Sequence, residues 1–221
     1  MVGKSKNFNI TEVLKVIKSV TSKLPAPIVA EFSKKNDPFA ILISCIISLR
    51  TRDNITKIAS KQLFDLARSP MQMIKLENKT IEKAIYPAAF YRNKANNIKE
   101  ICQVLIEKYE GAVPEDLETL LQLKGVGRKT ANLTLILGHN KLGICVDVHV
   151  HRISNRWGYI KTKTPDETEL VLRKILPKRF WKIYNELLVS FGQNVCKPIS
   201  PYCSSCLLET QCLKIGVNHH R

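Results

Sequence analysis

The chain has 221 residues, of which 44% are apolar and 24% charged, a composition that predicts a globular protein of one or two domains. Thirty-five Lys and Arg against 19 Asp and Glu leave a net charge of +16, so we expect a polyanionic partner, for which nucleic acid, a ribosome or an anionic membrane surface would each serve. No apolar signal segment follows Lys4 and Lys6, and the longest uncharged stretch, residues 38–49, is too short for a bilayer, which excludes secreted and membrane-spanning classes and predicts an intracellular protein.

Apolar residues recur at helical spacing from the N-terminus onward, and no Asn-Gly or Asp-Gly hairpin separates alternating strands, so we expect an all-α fold. Proline and glycine breaks divide the chain into nine or ten short helices. Residues 40–49 are apolar on every side and predict a central buried helix. The predicted apolar faces of the surrounding helices are Val13, Ile17 and Val20; Ile58, Leu63 and Leu66; Ile98, Ile101, Leu105 and Tyr109; and Leu117, Leu120, Leu121 and Leu123.

A glycine pair interrupts the helical pattern at residues 120–132, where one helix ends at Gly125-Val126-Gly127 and another begins at once. Glycine at both ends of the turn permits positive φ and a close approach of the backbone to a ligand. The first amides of the second helix point outward, where the macrodipole favours a phosphate. A plain helical hairpin with a glycine cap is the alternative reading.

Lys129 lies in the first turn of the second helix, beside Arg128 and near Lys124. The positive helix end and the neighbouring cations disfavour the ammonium form, and a neutral amine is what a nucleophile requires. A lysine that only contacts phosphate is the alternative. Farther along, Asp147 is predicted to cap a helix that runs toward Trp157, and a capping carboxylate stays ionised and available to a developing cation.

Four cysteines near the C-terminus have the spacing C-x6-C-x2-C-x5-C. Thiolates select iron–sulfur clusters or zinc, and the four unequal gaps suit a [4Fe–4S] cluster better than zinc, whose sites present two short knuckles. Disulfides remain a further alternative, although an odd total of seven cysteines argues against a disulfide framework. The candidate ligands are Cys196, Cys203, Cys206 and Cys212, while Cys45, Cys102 and Cys145 are predicted to be buried thiols.

Three motifs in this order, L-x-G-V-G-R-K-T-A-N at 123–132, V-D-x-H at 146–149 and the cysteine array at 196–212, resemble the endonuclease III family of base-excision repair glycosylases. The resemblance extends upstream to residues 38–39, 49–53 and 90–95. It implies a two-domain, helix-hairpin-helix glycosylase fold. The six-helix barrel would comprise residues 24–138, with the helix-hairpin-helix at about 117–137, and the iron–sulfur cluster domain would comprise residues 1–23 plus 139–221.

The same resemblance implies a bifunctional DNA N-glycosylase that removes oxidised pyrimidines from double-stranded DNA and cleaves the abasic site as a lyase, acting as a monomer. It assigns Lys129 as the nucleophile, Asp147 as its acidic partner and the four cysteines as ligands of a [4Fe–4S] cluster. Arg50 occupies a position where the family commonly has glutamine, and Phe90 one that leucine often holds. The residues implied in DNA binding are Arg50, Phe90, Lys124, Gly125, Val126, Gly127, Arg128, Thr130, His149 and Lys197.

Other functions stay open at this point. Adenine-mismatch relatives lack the lysine and carry a glutamate where this chain has Cys45, and thymine-mismatch relatives also lack the lysine, so a monofunctional mismatch glycosylase is disfavoured. A non-catalytic iron–sulfur module that binds nucleic acid would not need both Lys129 and Asp147. An electron carrier would need a docking partner that nothing outside the cysteines suggests.

Overall fold

The computed structural model describes residues 8–22 and 37–221, and within these ranges all regular secondary structure is helical, which confirms the predicted all-α class. Eleven α-helices are described, against the nine or ten predicted, because the hairpin and proline-rich segments contain very short ones. They are α1 (Ile10–Thr21), α2 (Pro38–Ser48), α3 (Asp53–Leu66), α4 (Pro70–Met73), α5 (Asn78–Ile85), α6 (Tyr91–Tyr109), α7 (Leu117–Leu121), α8 (Arg128–Leu133), α9 (Val148–Arg156), α10 (Pro165–Ile175) and α11 (Trp181–Asn194). A π-helical turn (Thr134–Gly138) follows α8, and a 3-10 turn (Lys178–Phe180) precedes α11.

Side-chain caps fix where several of these helices begin. Asp37 accepts hydrogen bonds from the amides of Phe39 and Ala40, both at 3.0 Å, and Pro38 occupies the first turn of α2, where its missing N–H costs nothing. Thr164 and Pro165 repeat this arrangement at the start of α10. Local sequence therefore sets where α2 and α10 begin.

The chain forms two compact units. The central unit contains α2 to α8 and ends at Gly143, and the terminal unit combines α1 with residues 144–221. In the central unit α2 packs against α3, α6, α8 and the π-helical turn. Its side chains from Ile41 to Ile47 are all buried, which confirms the predicted central helix.

The predicted apolar face of α3 is wrong at two of its three positions. Leu63 is fully buried, but Ile58 and Leu66 are 56% and 52% exposed. The buried face of α3 consists of small residues together with one leucine: Thr56, Ala59, Ser60 and Leu63. Small side chains let α3 approach α2 closely, so the largest apolar residues of the segment were a misleading guide to its orientation.

The terminal unit has a separate core in which α11 packs against both α1 and α9. Val13 and Ile17 of α1 are fully buried there, as predicted, together with Trp157 and Tyr184. Ser154 and Tyr184 share a buried hydrogen bond of 2.9 Å between their hydroxyls, which satisfies both polar groups inside the core. None of the helices in the described ranges is long and apolar enough to cross a membrane.

Candidate active site and cysteine cavity

The helical hairpin consists of α7, a short turn and α8. Gly125 has φ +75°, and a Cβ there would lie 2.6 Å from Nδ2 of Asn97, so the turn requires glycine at this position. Gly127 caps α8 with φ −94° and ψ 175°, so of the two glycines only Gly125 uses the positive φ that glycine permits. A Cβ at Gly127 would meet no atom within 4 Å, and its backbone faces open space.

Lys129 is exposed in the first turn of α8, as the sequence predicted. Lys124 is also exposed, and its Nζ lies 2.6 Å from Oε1 of Glu100, so part of its charge is already compensated. The side chains of Val126 and Thr130 are buried, which leaves only their backbone groups for contact with a ligand. Arg128 is half-buried between these positions.

Cys45 lies on α2 within reach of the charge on Lys129. Burial raises the pKa of this thiol to about 12, and the positive charge of Lys129 opposes the rise only weakly. Cys45 is therefore a neutral thiol and places no negative charge beside the lysine. All seven cysteines are free, and Cys45, Cys102 and Cys145 are buried, as predicted.

Arg50 and Phe90 lie forty positions apart in sequence but are adjacent in the central unit. The guanidinium carbon of Arg50 stands 5.8 Å from the centroid of the Phe90 ring. Both residues have left-handed backbone conformations, with φ 54° for Arg50 and φ 56° for Phe90, and both are exposed. Their pairing and their backbone strain could not be read from the sequence, since neither is a glycine.

Asp147 caps α9 and is half-buried. One carboxylate oxygen accepts hydrogen bonds from the amides of His149 at 2.9 Å and Val150 at 3.0 Å, which confirms the predicted cap. His149 and His151 contact different residues, as expected from their spacing of two positions, which does not place them on one face of a helix. Nδ1 of His149 lies 3.1 Å from Nη2 of Arg152, whereas Nδ1 of His151 lies 2.7 Å from the hydroxyl of Thr168.

The four C-terminal cysteines line a single cavity in the terminal unit, together with Arg156, Trp157, Phe191 and Leu208. The space not filled by protein atoms is about 340 Å³, part of it open to solvent. Within residues 8–22 and 37–221, no three His, Cys, Asp or Glu side chains converge closely enough to hold one metal ion.

The chemistry of these thiols fits a cationic, multi-atom group. Burial raises the pKa of Cys212 to about 11, and repulsion from the other three thiolates adds to the rise. Burial also raises the pKa of Cys203 and of Cys206, again with repulsion among the thiolates. Four thiolates can therefore coexist here only with a compensating cation, which iron ions would supply.

Hydrogen-bond donors already point at three of the four sulfurs. Nη1 of Arg156 lies 3.3 Å from Sγ of Cys196, the amide of Leu208 lies 3.5 Å from Sγ of Cys206, and the amide of Lys214 lies 3.3 Å from Sγ of Cys212. Such N–H···S contacts stabilise ligating thiolates and tune the group that they hold.

Two arginines of α9, which sequence reasoning did not select, hold the loop after Cys196. Arg152 donates to the carbonyl oxygen of Cys196 at 2.9 Å, and Arg156 donates to those of Lys197 at 2.8 Å and Pro198 at 3.1 Å. Nζ of Lys197 itself lies 5.1 Å from the centroid of the Tyr202 ring. The helix that Asp147 caps is thereby bonded directly to the cysteine loop.

Comparison with known proteins agrees with this arrangement. Residues 43–178 match the HhH-GPD superfamily base excision DNA repair protein family. The chain is 49% identical to endonuclease III of Thermotoga maritima, and the alignment covers 81% of this chain and 84% of that protein. It is 40% identical to the chloroplastic endonuclease III homolog 2 of Arabidopsis thaliana, where the alignment covers 80% of this chain but only 48% of the plant protein.

Among solved structures, a trapped endonuclease III–DNA covalent intermediate aligns with a TM-score of 0.83 at 33% identity, covering 97% of both chains. That alignment includes both compact units, whereas the family match is confined to residues 43–178 and so leaves out the cysteine array. With its hairpin, its capped α9 and these matches, the chain belongs to the HhH-GPD superfamily of base excision DNA repair proteins and, within it, to the endonuclease III family.

Proposed function

We propose that the protein is a bifunctional DNA glycosylase and abasic-site lyase of base excision repair, acting on oxidised pyrimidines in double-stranded DNA. The observation that carries the proposal is the exposed Lys129 in the first turn of α8, next to an open glycine backbone. The identity of 49% to a named endonuclease III supports the enzyme class. We further propose that the protein acts as a monomer in the intracellular compartment that holds the DNA.

Lys129 is the nucleophile of the proposed reaction. Its neutral amine attacks C1′ of the sugar while the C1′–N bond breaks, and the base leaves as its protonated form. Cleavage of the C1′–O4′ bond then opens the sugar ring, with O4′ taking up a proton, and leaves an iminium between C1′ and the lysine nitrogen. This iminium acidifies the C2′ proton, whose removal expels the 3′ phosphate by cleavage of the C3′–O bond. Water then hydrolyses the Schiff base and regenerates the amine. One residue therefore serves both excision and strand cleavage.

Asp147 is the proposed acidic partner. Its carboxylate accepts hydrogen bonds from two amides at the start of α9, and these bonds fix its position. A fixed negative charge stabilises the positive charge that develops on the sugar as the base departs. The same carboxylate can accept the proton that the lysine ammonium must lose.

DNA binding is assigned to residues of both units. In the hairpin, the backbone of Gly125 to Thr130 faces a phosphate, with Lys124 and Arg128 adding charge. Arg50 and Phe90 fill the space of a flipped base, because arginine can bond an orphan guanine and an aromatic ring can wedge a base step open. His149 and Lys197 contact the DNA backbone.

The four cysteines are proposed to hold a [4Fe–4S] cluster, which would fasten the C-terminal segment of the terminal unit and take no part in the bond-breaking steps. The shared cavity and the N–H donors aimed at the sulfurs support this assignment. Residues 24–138 would form the six-helix barrel, and residues 1–23 with 139–221 the cluster domain. The compact units, divided after Gly143, support this organisation to within a few residues.

Borohydride trapping tests the function. A duplex that carries one thymine glycol is incubated with the wild type, Lys129→Ala and Lys124→Ala in the presence of borohydride. Lys124 is the matched control, since it is an exposed lysine of the same hairpin whose charge is paired with Glu100. We expect a covalent adduct with the wild type and Lys124→Ala and none with Lys129→Ala. An adduct that persists in Lys129→Ala would overturn the assignment of the nucleophile.

A further inference from the structure

The buried ammonium group of Lys94 connects the two loops that carry Arg50 and Phe90. Lys94 lies in the first turn of α6 and is only 5% exposed. Its Nζ donates to the carbonyl oxygens of Ile47 at 2.6 Å and Leu49 at 2.7 Å, and to the hydroxyl of Thr51 at 2.9 Å. All three acceptors are neutral oxygens, and a buried cation with neutral partners is costly.

The first loop follows α2 and places Arg50 between two of these acceptors. Leu49 and Thr51 flank Arg50, so one ammonium group binds the backbone carbonyl of the residue before it and the side-chain hydroxyl of the residue after it. This is where Arg50 has its left-handed conformation, which is unfavourable for a side chain with a Cβ. The amine of Lys94 therefore compensates a strained backbone at the surface.

The second loop precedes α6 and is joined to the same group. The hydroxyl of Thr51, which accepts from Lys94, also accepts from the amide of Ala89 at 3.1 Å. The amide of Lys94 donates to the carbonyl of Phe90 at 3.0 Å. The bond from the Ala89 amide and this backbone bond at the start of α6 hold Phe90 on both sides in its own left-handed conformation, and the residue is 60% exposed.

Strained residues that persist at a surface need an explanation, since a relaxed loop would be more stable. The two strained residues of this pair contact each other and do not contribute to the core of the central unit. We propose that Lys94 is a positioning residue, which fastens Arg50 and Phe90 into one rigid wedge before DNA is bound. This inference rests on the proposed function, since the wedge would enter the duplex where the damaged base leaves.

A rigid wedge has a specific consequence for the reaction. Ordering two flexible loops during base flipping would subtract from the binding free energy, whereas a prearranged pair avoids that cost. Loss of Lys94 should therefore impair opening of the duplex but spare the chemistry at an abasic site, which has no base to expel. This separation distinguishes a positioning role from general destabilisation.

The chain offers a matched control on the same helix. Lys99 is half-buried on α6 and donates from Nζ to the carbonyls of Ile74 and Leu76, so it makes the same kind of bonds to a different segment. Lys94→Met and Lys99→Met thus each remove one ammonium group that binds backbone carbonyls. Thr51→Val is a milder variant, which removes only the hydroxyl that links the two loops.

The first readout does not depend on base excision or strand cleavage. A duplex with a tetrahydrofuran abasic analogue opposite 2-aminopurine reports unstacking of the orphan base as a rise in fluorescence. At saturating protein, we expect a full rise with the wild type and Lys99→Met, and a reduced rise with Lys94→Met and Thr51→Val. A full rise with both Lys94→Met and Thr51→Val would overturn the proposal.

The second readout compares two substrates. We expect Lys94→Met to lower kcat/KM for excision from duplex DNA roughly tenfold to a hundredfold, the usual range for a misplaced positioning group, while borohydride trapping on a single-stranded abasic site keeps the wild-type rate. An equal loss of rate on both substrates, or an equal loss in Lys99→Met, would show that Lys94 only stabilises the fold and would overturn its positioning role. If the wild type forms no adduct, the proposed function fails, and the fluorescence readout still decides the role of Lys94.

Discussion

Nη1 of Arg156 donates to Sγ of Cys196 at 3.3 Å, and this contact joins the last turn of α9 to the first cysteine of the cavity. Hydrogen bonds to ligating sulfur stabilise the electron-rich form of a bound cluster. We expect Arg156→Met to lower the reduction potential of the proposed [4Fe–4S] cluster and to speed its bleaching by chelator, measured from the visible absorbance of the iron-loaded protein.

Arg152→Met is the matched control for that prediction. Arg152 also holds the loop, but it donates to the carbonyl oxygen of Cys196 and not to its sulfur. Its replacement should therefore loosen the loop and leave the reduction potential near the wild-type value. The same shift in both variants would assign the effect to loop position, and no shift in either would contradict the role of the N–H···S bond.

Asp147 has two roles that substitution can separate. Asparagine caps a helix about as well as aspartate but carries no charge, whereas alanine removes both the cap and the charge. We expect Asp147→Asn to keep the melting temperature and to lower excision roughly a hundredfold, as the loss of a catalytic acid or base commonly does. Asp147→Ala should in addition lose about 1 kcal/mol of stability, or roughly 2–4 °C in Tm.

Calorimetry and single-turnover excision assays on both variants check this prediction. Unchanged excision in Asp147→Asn would show that the residue acts only as a cap. A large drop in Tm for Asp147→Asn would show that the carboxylate charge itself stabilises α9.

The hairpin glycines should respond differently to alanine. At Gly125, alanine would have φ +75° and a Cβ 2.6 Å from Nδ2 of Asn97, so we expect Gly125→Ala to cost about 1–2 kcal/mol. At Gly127, φ is −94° and no atom lies within 4 Å, so Gly127→Ala should leave stability nearly unchanged. If a phosphate approaches this backbone, the added methyl group should nevertheless weaken DNA binding.

Chemical denaturation and fluorescence anisotropy with a duplex separate the two effects. Wild-type affinity in Gly127→Ala would contradict the assignment of the hairpin to phosphate. Equal destabilisation by the two alanines would contradict the backbone geometry of the turn.

The stability contributed by Lys94 should change above neutral pH. Burial lowers the pKa of Lys94 to about 8, whereas a lysine in the unfolded chain titrates near 10.4. Between these values the unfolded chain binds a proton that the folded protein has released, so folding becomes more favourable as pH rises. Below pH 8 both states are protonated, and the burial penalty is constant.

Comparison with Lys94→Met isolates this effect from other titrating groups. We expect the free energy of unfolding of the wild type, minus that of Lys94→Met, to rise by up to about 1.4 kcal/mol per pH unit between pH 8 and 10. Urea denaturation at a series of pH values measures the difference. A constant difference over this interval would show that Lys94 keeps its proton in the folded protein.

Features set by neighbouring residues were predictable from sequence. The buried α2, the cap at Asp147 and the place of Lys129 in the first turn of α8 each depend on a few adjacent positions. The order of the three motifs was sufficient to identify the family. The grouping of the four cysteines around one cavity also agrees with their spacing.

Features set by distant contacts were not predictable. Lys94 resembles any lysine of an exposed helix until the end of α2 is placed against it, and Arg156 resembles a helix-terminal surface residue until the cysteine loop is folded over it. Ile58 and Leu66 were misread because helix periodicity does not show which face a neighbouring helix will cover. In each case the missing information was a contact across many positions in sequence.

The pairing of α1 with α11 has a consequence for synthesis of the chain. α1 ends at Thr21 and α11 begins at Trp181, so roughly 160 residues are synthesised after α1 before its partner helix begins. At 5–20 residues per second this delay lasts roughly 8–32 seconds, during which the central unit is completed. Val13 and Ile17 meanwhile have no native core to enter, and a chain that stops before α11 leaves this amphipathic helix as a target for chaperones and proteases.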